Sequence, residues 1–215
     1  MPTETFENLS EEKKLKIIEA AKKEFSRVQF EDTSIKNIVK EAGIARGSFY
    51  QYFNSKRDLL EYIIYENKQR LEKFIKKTLK DTNGDIFDAY IKMYDYILNE
   101  IFNEENKELY KRIIESLKVE EENFLLPQLD KKEINGPFKN EEIVNLINKD
   151  LLNIENQEDL DRIIKVLFLI TRSGIILALK NNDTKKAKSE YIKMIDYIKY
   201  GALKRKREEI KWYEY

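Results

Sequence analysis

The chain has 215 residues, of which 41% are hydrophobic and 12% aromatic, so one domain or two small ones could bury a real core. It carries 40 basic and 40 acidic residues with only six glycines and three prolines, a composition rich in helix formers that predicts an all-α protein. The absence of cysteine and histidine excludes disulfides, thiolate metal sites and the usual general base at neutral pH, so we predict neither an enzyme nor a metal or cofactor site.

The first part of the chain is predicted to form a compact three-helix unit over residues 10–53. Residues 1–9 are expected to be a frayed arm, and Ser10 to cap the first helix. Phe49 and Phe53 fall on the buried side of the third helix and are expected to close the small core.

The second and third helices of this unit are joined by a short turn. Thr33 or Ser34 caps the second helix, and Gly43 follows it as a residue that tolerates the left-handed conformation at a helix end. The third helix covers residues 46–53 and has a polar outward face. This pattern is typical of a helix-turn-helix, whose second helix enters the DNA major groove. An ordinary helical hairpin is the alternative.

Residues 38–56 read IVKEAGIARGSFYQYFNSK. This run resembles the signature of the TetR family of bacterial transcriptional regulators. That signature has an Ala-Gly turn, a Gly or Pro early in the recognition helix, a Tyr-x-(Tyr/His)-Phe core and a Lys that starts the next helix. The motif covers about the first quarter of the chain, and the rest matches in length and helical character. Ala45 departs from the family's usual Ser or Thr cap.

The resemblance implies a DNA-binding surface made of polar or small residues. The implied phosphate contacts are Ser34, Tyr50, Tyr52 and Lys56. The candidates for base edges are Lys36, Arg46, Ser48 and Gln51, because Arg and Lys suit guanine and Gln suits adenine. Gly47 would let the backbone approach the groove closely. Between residues 22 and 57, eight basic residues against four acidic ones give a local positive excess that suits this role.

A fourth helix is predicted from Lys56 to about Lys80, capped by Ser55, and it is the natural link between two domains. We assign residues 1–55 to the helix-turn-helix DNA-binding domain and residues 56–215 to a helical effector-binding and dimerisation domain. Ile64, Leu71 and Phe74 are expected to pack in the second domain. Shorter helices are predicted over residues 85–102, 107–118 and 141–152, with a loop over 131–140.

Two long helices are predicted to finish the chain, over residues 157–180 and 184–211. Their wide apolar faces suit a four-helix bundle made across a homodimer, an arrangement that the resemblance also implies. Gly174 and Ala178 are one turn apart and would allow close helix contact there.

Aromatic residues recur along the helices after residue 85, and most of them would be ordinary core residues. Tyr hydroxyls can nevertheless orient a small molecule in an apolar pocket. The predicted ligand-binding residues are Tyr90, Met93, Tyr94, Tyr110, Phe124, Phe168 and Arg172.

No signal peptide is recognised at the N-terminus, and the apolar stretch 163–179 contains Lys165 and Arg172, so a cytoplasmic protein without membrane spans is predicted. The resemblance implies a repressor that binds a palindromic operator as a homodimer and is released by a small-molecule effector. The alternative is an effector-independent helical DNA-binding dimer with a structural or partner-recruiting role, which a closed core in the second domain would favour.

Overall fold

The computed structural model describes residues 2–104, 106–112, 136–181 and 183–202. Every regular element in these ranges is helical, which confirms the all-α prediction. The α-helices are α1 Glu4–Glu7, α2 Glu11–Arg27, α3 Ile35–Ala42, α4 Arg46–Tyr52, α5 Lys56–Asp81, α6 Ile86–Phe102, α7 over residues 107–112, α8 Glu141–Val144, α9 Gln157–Asn181 and α10 Thr184–Tyr200. Three 3₁₀ helices lie at Phe30–Asp32, Gly136–Lys139 and Lys149–Leu151.

The N-terminal core is built by α2, α3, α4 and the first two turns of α5. Phe49 and Phe53 are fully buried in it, as the sequence predicts. The prediction of a frayed arm over residues 1–9 is wrong, because α1 docks on this core and Phe6 is 0% exposed. Burial of the aromatic ring of Phe6 offsets part of the conformational entropy that this segment loses when it is ordered.

The turn between α3 and α4 has the geometry that Gly43 predicts. Gly43 adopts φ +67°, in the left-handed region, and its N–H donates to the Lys40 carbonyl. The Ile44 N–H donates to the Val39 carbonyl at 3.0 Å, and Ile44 packs against the N-terminal core. These bonds complete the end of α3 and set the direction in which α4 leaves.

Two of the three predicted helix caps lack the expected side-chain hydrogen bond. Ser10 and Ser34 occupy the N-cap positions of α2 and α3, but neither side chain accepts a hydrogen bond from its helix. Ser55 does cap α5, since its hydroxyl accepts from the Asp58 N–H at 3.1 Å.

Helix α5 belongs to both cores. Leu59 and Ile63 are buried in the N-terminal core, whereas Ile75 and Leu79 are buried in the C-terminal core. The N-terminal core therefore extends beyond residue 55, where the sequence suggested a domain boundary. Ile64 was expected to pack in the second domain but is 47% exposed, because the helical turn directs it away from both cores.

Leu71 and Phe74 do pack, partly buried, against the C-terminal core. This core is made by α6, α9, α10, the end of α5 and the segment 136–147. The helix predicted over residues 141–152 is shorter than expected, since α8 ends at Val144 and a 3₁₀ helix follows.

The last two helices are present, but the second is shorter than predicted. Helix α10 ends at Tyr200, where Gly201 adopts φ +80°, and residues 203–215 lie outside the described ranges. The apolar stretch 163–179 lies within α9. Among the helices that the structure describes, none is both long and apolar enough to cross a membrane.

Candidate nucleic-acid interface and buried tyrosine cluster

Helix α4, the predicted recognition helix, has one buried side and one exposed side. Phe49 is 0% exposed, whereas Arg46, Gly47, Tyr50 and Gln51 are exposed. The predicted contact residues Ser48 and Tyr52 are half-buried at the edges of this exposed side. A Cβ added at Gly47 would meet no atom within 4 Å, so this part of the helix backbone faces open space.

The start of α3 lies beside a buried carboxylate that the sequence analysis did not single out. Glu24 of α2 accepts hydrogen bonds from Arg27, from the Ser34 N–H at 2.9 Å and from the Asn37 side chain. The Arg27 guanidinium, together with these N–H donors, lowers the pKa of Glu24 to about 2. Glu24 thus holds the first turn of α3, while the nearby Lys36 is exposed.

Lys56, the predicted phosphate contact at the start of α5, is held within the protein. Its ammonium group donates to the carbonyls of Phe30 at 2.8 Å, Glu31 at 2.6 Å and Thr33 at 3.1 Å. It also lies 5.0 Å from the centre of the Phe30 ring. An ammonium group has three donors, so a phosphate contact by Lys56 would require that one of these bonds be broken.

Two residues of the N-terminal segment support α4, and neither was predicted from the sequence. Thr3 donates hydrogen bonds to the last turn of α4, and Phe6 packs beside Tyr52 and Phe53. Thr3 followed by acidic residues in the next turn is a helix-start signal, but a four-residue helix is too short for periodicity to reveal.

The C-terminal core contains three fully buried tyrosines, Tyr90, Tyr94 and Tyr191, which we call the tyrosine cluster. Tyr90 donates to the Ile164 carbonyl at 3.2 Å, and Tyr94 donates to the Gly174 carbonyl at 3.1 Å. These bonds attach α6 to the backbone of α9.

Tyr191 extends the same pattern to α10. Its hydroxyl donates to the Tyr90 carbonyl at 3.2 Å and lies 2.8 Å from the hydroxyl of Thr171. The rings of Tyr94 and Tyr191 stack with centres 3.9 Å apart. Burial raises the pKa of Tyr90, Tyr94 and Tyr191, to about 12 in the case of Tyr94. All three hydroxyls are therefore neutral hydrogen-bond donors.

Gly174 packs against the tyrosine cluster. A Cβ placed on it would lie 3.1 Å from the Tyr94 ring and 3.3 Å from the Tyr191 ring. Gly174 and Ala178, which is fully buried, therefore permit close helix packing inside one protomer. The prediction that they serve helix contact across a dimer is replaced by this internal role.

The structure brings together only part of the predicted ligand-binding set. Met93 is buried in the same core as Tyr90 and Tyr94. The Phe168 ring packs against Gly136, at the start of the segment whose Phe138 stacks on Tyr90 with ring centres 4.6 Å apart.

The other predicted ligand contacts lie elsewhere or outside the described residues. Tyr110 of α7 accepts a hydrogen bond from Asn67 of α5 at 3.1 Å, beside Leu109, which is buried in the N-terminal core. Arg172 is half-buried on α9, and Phe124 lies outside the described residues.

The outer face of α9 and the end of α10 expose large apolar side chains. On α9 these lie in a stripe at helical spacing, and on α10 they are tyrosines: Val166, Leu169, Leu177, Tyr197 and Tyr200. We call these five residues the α9–α10 outer face. Exposed apolar groups that line one face in this way mark contact surfaces more often than scattered ones do.

Two family models match the chain. One, described as "Tetracyclin repressor-like, C-terminal domain", covers residues 85–202, which is more than half of the chain. The other, described as "Bacterial regulatory proteins, tetR family", covers residues 17–63.

Curated relatives resemble part of the chain. The uncharacterized HTH-type transcriptional regulator YfiR of Bacillus subtilis (strain 168) is 41% identical over 54 residues, 25% of this chain and 26% of that protein. An HTH-type transcriptional regulator of Staphylococcus aureus (strain USA300) is 33% identical over 106 residues, 48% of this chain and 55% of that protein. The matched part thus spans between about a quarter and about half of these relatives' length.

Solved structures resemble the fold of most of the chain. A tetR-family transcriptional regulator from Streptomyces coelicolor has a TM-score of 0.58 at 17% identity, covering 88% of this chain and 81% of that one. The regulator FadR from Bacillus subtilis, solved in complex with stearoyl-CoA, has a TM-score of 0.54 at 12% identity, covering 88% of this chain and 100% of that one. At these identities the likeness concerns the fold alone.

Proposed function

Because the chain belongs to the TetR family of bacterial transcriptional regulators, we propose that it is a repressor that binds a palindromic DNA operator as a homodimer and leaves it when a small-molecule effector binds. This role places the protein in the cytoplasm, where bacterial DNA lies. The observation that carries the proposal is the exposed polar side of α4, presented by a glycine turn and backed by a buried aromatic core.

The side chains of α4 suit base reading. Arg46 and Gln51 are exposed, and they can form bidentate pairs with guanine and adenine respectively. Phosphate contacts would come from Ser34, Tyr50 and Tyr52 around them. The Ser34 hydroxyl makes no cap bond to α3, which leaves it available for this purpose.

We propose the α9–α10 outer face as the dimer interface. Its leucines and tyrosines are exposed to water, and a second copy of the same face would bury them. The resulting dimer has the two-fold symmetry that a palindromic operator requires. Leu177→Glu should weaken the dimer, measured by sedimentation at low micromolar concentration. Leu15→Glu is the matched control, since Leu15 is an exposed leucine on α2, far along the chain from this face. An unchanged dimer in Leu177→Glu would place the interface elsewhere.

Two elements connect the C-terminal domain, which would bind the effector, with the N-terminal DNA-binding domain. Helix α5 is buried in both cores, and α7 inserts Leu109 into the N-terminal core. Lys22 of α2 donates to the side chain of Asn106, just before α7, at 3.4 Å. An effector that shifts α6 or α5 would thus move the DNA-binding domain of each protomer. The two recognition helices of the dimer would then no longer match half-sites that lie about 34–36 Å apart or at a multiple of helical turns.

An effector-independent DNA-binding dimer is the second candidate, and one observation favours it. The tyrosine hydroxyls that could orient a ligand are already bonded to backbone carbonyls within a packed core. An effector that used them would have to displace these bonds, as a ligand does when it selects a more open conformation.

Operator selection tests the main proposal. Genomic fragments bound by the full-length protein should share a two-fold symmetric sequence, and an effector screen on that operator should find a compound that releases it. Enrichment of no common sequence would contradict specific DNA binding, and a specific operator that no compound releases would favour the second candidate.

Once an effector is found, Leu71→Ala tests the route through α5. Leu71 packs partly buried on the C-terminal core, so its truncation should change the coupling free energy, typically about 1–3 kcal/mol, without touching DNA-contacting residues. Operator affinity is compared with and without effector in both proteins. Equal release by effector in wild type and Leu71→Ala would indicate that the signal does not pass through Leu71.

A further inference from the structure

The C-terminal end of the recognition helix is completed by a residue from the start of the chain. The Thr3 N–H donates to the Tyr52 carbonyl at 3.0 Å, and the Thr3 hydroxyl donates to the Gln51 carbonyl at 2.5 Å. The last carbonyls of a helix have no partner within the helix itself. In α4 the Phe49 carbonyl accepts from the Phe53 N–H, and Thr3 provides donors for the carbonyls of Gln51 and Tyr52.

The segment that carries Thr3 is anchored by an aromatic side chain. Phe6 is fully buried, and its ring centre lies 4.7 Å from that of Phe53, 5.3 Å from that of Tyr62 and 6.0 Å from that of Tyr52. The Thr3 hydroxyl also accepts from the Phe6 N–H at 3.4 Å, which joins both residues in one hydrogen-bonded unit. We call residues 3–9 the N-terminal clamp.

The clamp acts on the turn of α4 that carries two proposed DNA contacts. Gln51 is the proposed adenine reader, and Tyr52 is a proposed phosphate contact. The orientation of their side chains depends on the backbone that Thr3 holds. A helix of seven residues has few internal hydrogen bonds of its own, so external bonds at its end have a large share in fixing its direction.

We propose that the N-terminal clamp is part of the DNA-reading head, with Thr3 and Phe6 as positioning residues that set the sequence preference of α4. This inference rests on the proposed DNA-binding function. Neither residue is assigned a contact with DNA, since both act through the backbone and core of α4.

A purely stabilising role for the clamp makes a different prediction from a positioning role. Lower stability alone leaves the ratio of operator to random-DNA affinity unchanged while the protein stays folded. Misplacement of Gln51 lowers that ratio, because base contacts need accurate orientation whereas non-specific binding depends on phosphates.

The test uses the full-length protein, the operator that wild type selects and a random duplex of equal length. Thr3→Val removes the hydroxyl at nearly constant volume, and Thr3→Ser restores it. Thr82→Val is the matched control, because the Thr82 hydroxyl likewise donates to a backbone carbonyl, that of Thr78, at the far end of α5. Circular dichroism first establishes that each variant is folded at the assay temperature.

Thr3→Val should lower the ratio of operator to random-DNA affinity by about two- to tenfold, the range expected for one hydrogen bond. Thr3→Ser and Thr82→Val should keep the wild-type ratio. Phe6→Leu, which retains an apolar side chain but loses the ring contacts, should lower the ratio as well.

Two results would overturn the inference, and they can be told apart. If wild type selects an operator and Thr3→Val and Phe6→Leu both keep its preference, the clamp only stabilises the fold. If wild type selects no sequence at all, the proposed DNA-binding function fails and the clamp has no reading role.

Discussion

The recognition helix α4 and the tyrosine cluster each contain a glycine within a helix, and the surroundings of these two glycines are opposite. A Cβ on Gly47 of α4 would meet nothing within 4 Å, whereas one on Gly174 of α9 would press on the rings of Tyr94 and Tyr191. The same residue type therefore keeps an external surface open in one region and permits dense internal packing in the other.

The accessibility of the polar side chains differs between the two regions in the same way. On α4, Arg46 and Gln51 extend from the surface, where a partner molecule can reach them. In the tyrosine cluster, each hydroxyl already has a partner within the protein, as buried polar groups require. A region that recognises another molecule leaves its hydrogen-bonding groups accessible, and a region that maintains the fold satisfies them internally.

Substitution of the buried glycine should have the largest effect. Gly174→Leu forces a side chain against two stacked rings and should destabilise the protein by about 3 kcal/mol, at the upper end for overpacking. Urea unfolding measures this. Gly47→Ala is the comparison, and it should stabilise the helix by up to about 1 kcal/mol while weakening DNA binding. Full stability of Gly174→Leu, accompanied by dimer loss, would restore the interface role suggested by the sequence.

Substitution of the buried carboxylate of Glu24, in the DNA-binding domain, should have the second largest effect. The folded pKa of Glu24 is lowered to about 2, below the ordinary value of 4.5, so its stabilisation is present above about pH 4.5 and is lost as the pH falls toward 2. Glu24→Gln should remove about 2–3 kcal/mol at pH 7, allowing for the half-exposed Arg27, and should flatten the loss of stability between pH 5 and pH 2.

Thermal unfolding of both proteins across this pH range provides the measurement. Glu12→Gln is the control, because Glu12 is an exposed glutamate of the same helix that pairs with Lys16. An identical acid transition in Glu24→Gln and wild type would show that other carboxylates govern the acid sensitivity.

Removal of a proposed base contact should have a smaller effect that is confined to DNA. Gln51→Ala should relax the preference at one base pair by about 1–3 kcal/mol without changing stability, because the side chain is exposed. Competition binding with operator variants at each position measures the preference. Equal weakening of operator and random DNA would contradict a base-reading role for Gln51.

The smallest effect is expected for Lys56, and it separates two roles. If Lys56 acts only on the carbonyls before α3, Lys56→Met should destabilise the head by about 1 kcal/mol and leave the salt dependence of DNA binding unchanged. A phosphate contact would instead reduce the slope of log affinity against log salt by about 0.9. Lys193→Met, on the exposed side of α10, should change neither quantity and serves as the control.

The sequence alone determined part of the local structure of this protein. Helical periodicity and the position of Gly43 were sufficient to predict α3, its turn and the two sides of α4, because each depends on residues within a few positions of one another. The Ser55 cap and the extent of α5 followed from the same short-range rules.

Only the tertiary structure decided which distant groups meet. The carbonyls that bond Lys56 lie 23 to 26 positions earlier, and one of the two carbonyls that Thr3 bonds lies 48 positions later. The tyrosine hydroxyls find acceptors 74 to 101 positions away. Spacing along a helix predicts which face is apolar, but the partner of each polar group depends on how the helices pack. The same packing places Gly174 in the protomer's own core, where the sequence had suggested a dimer contact.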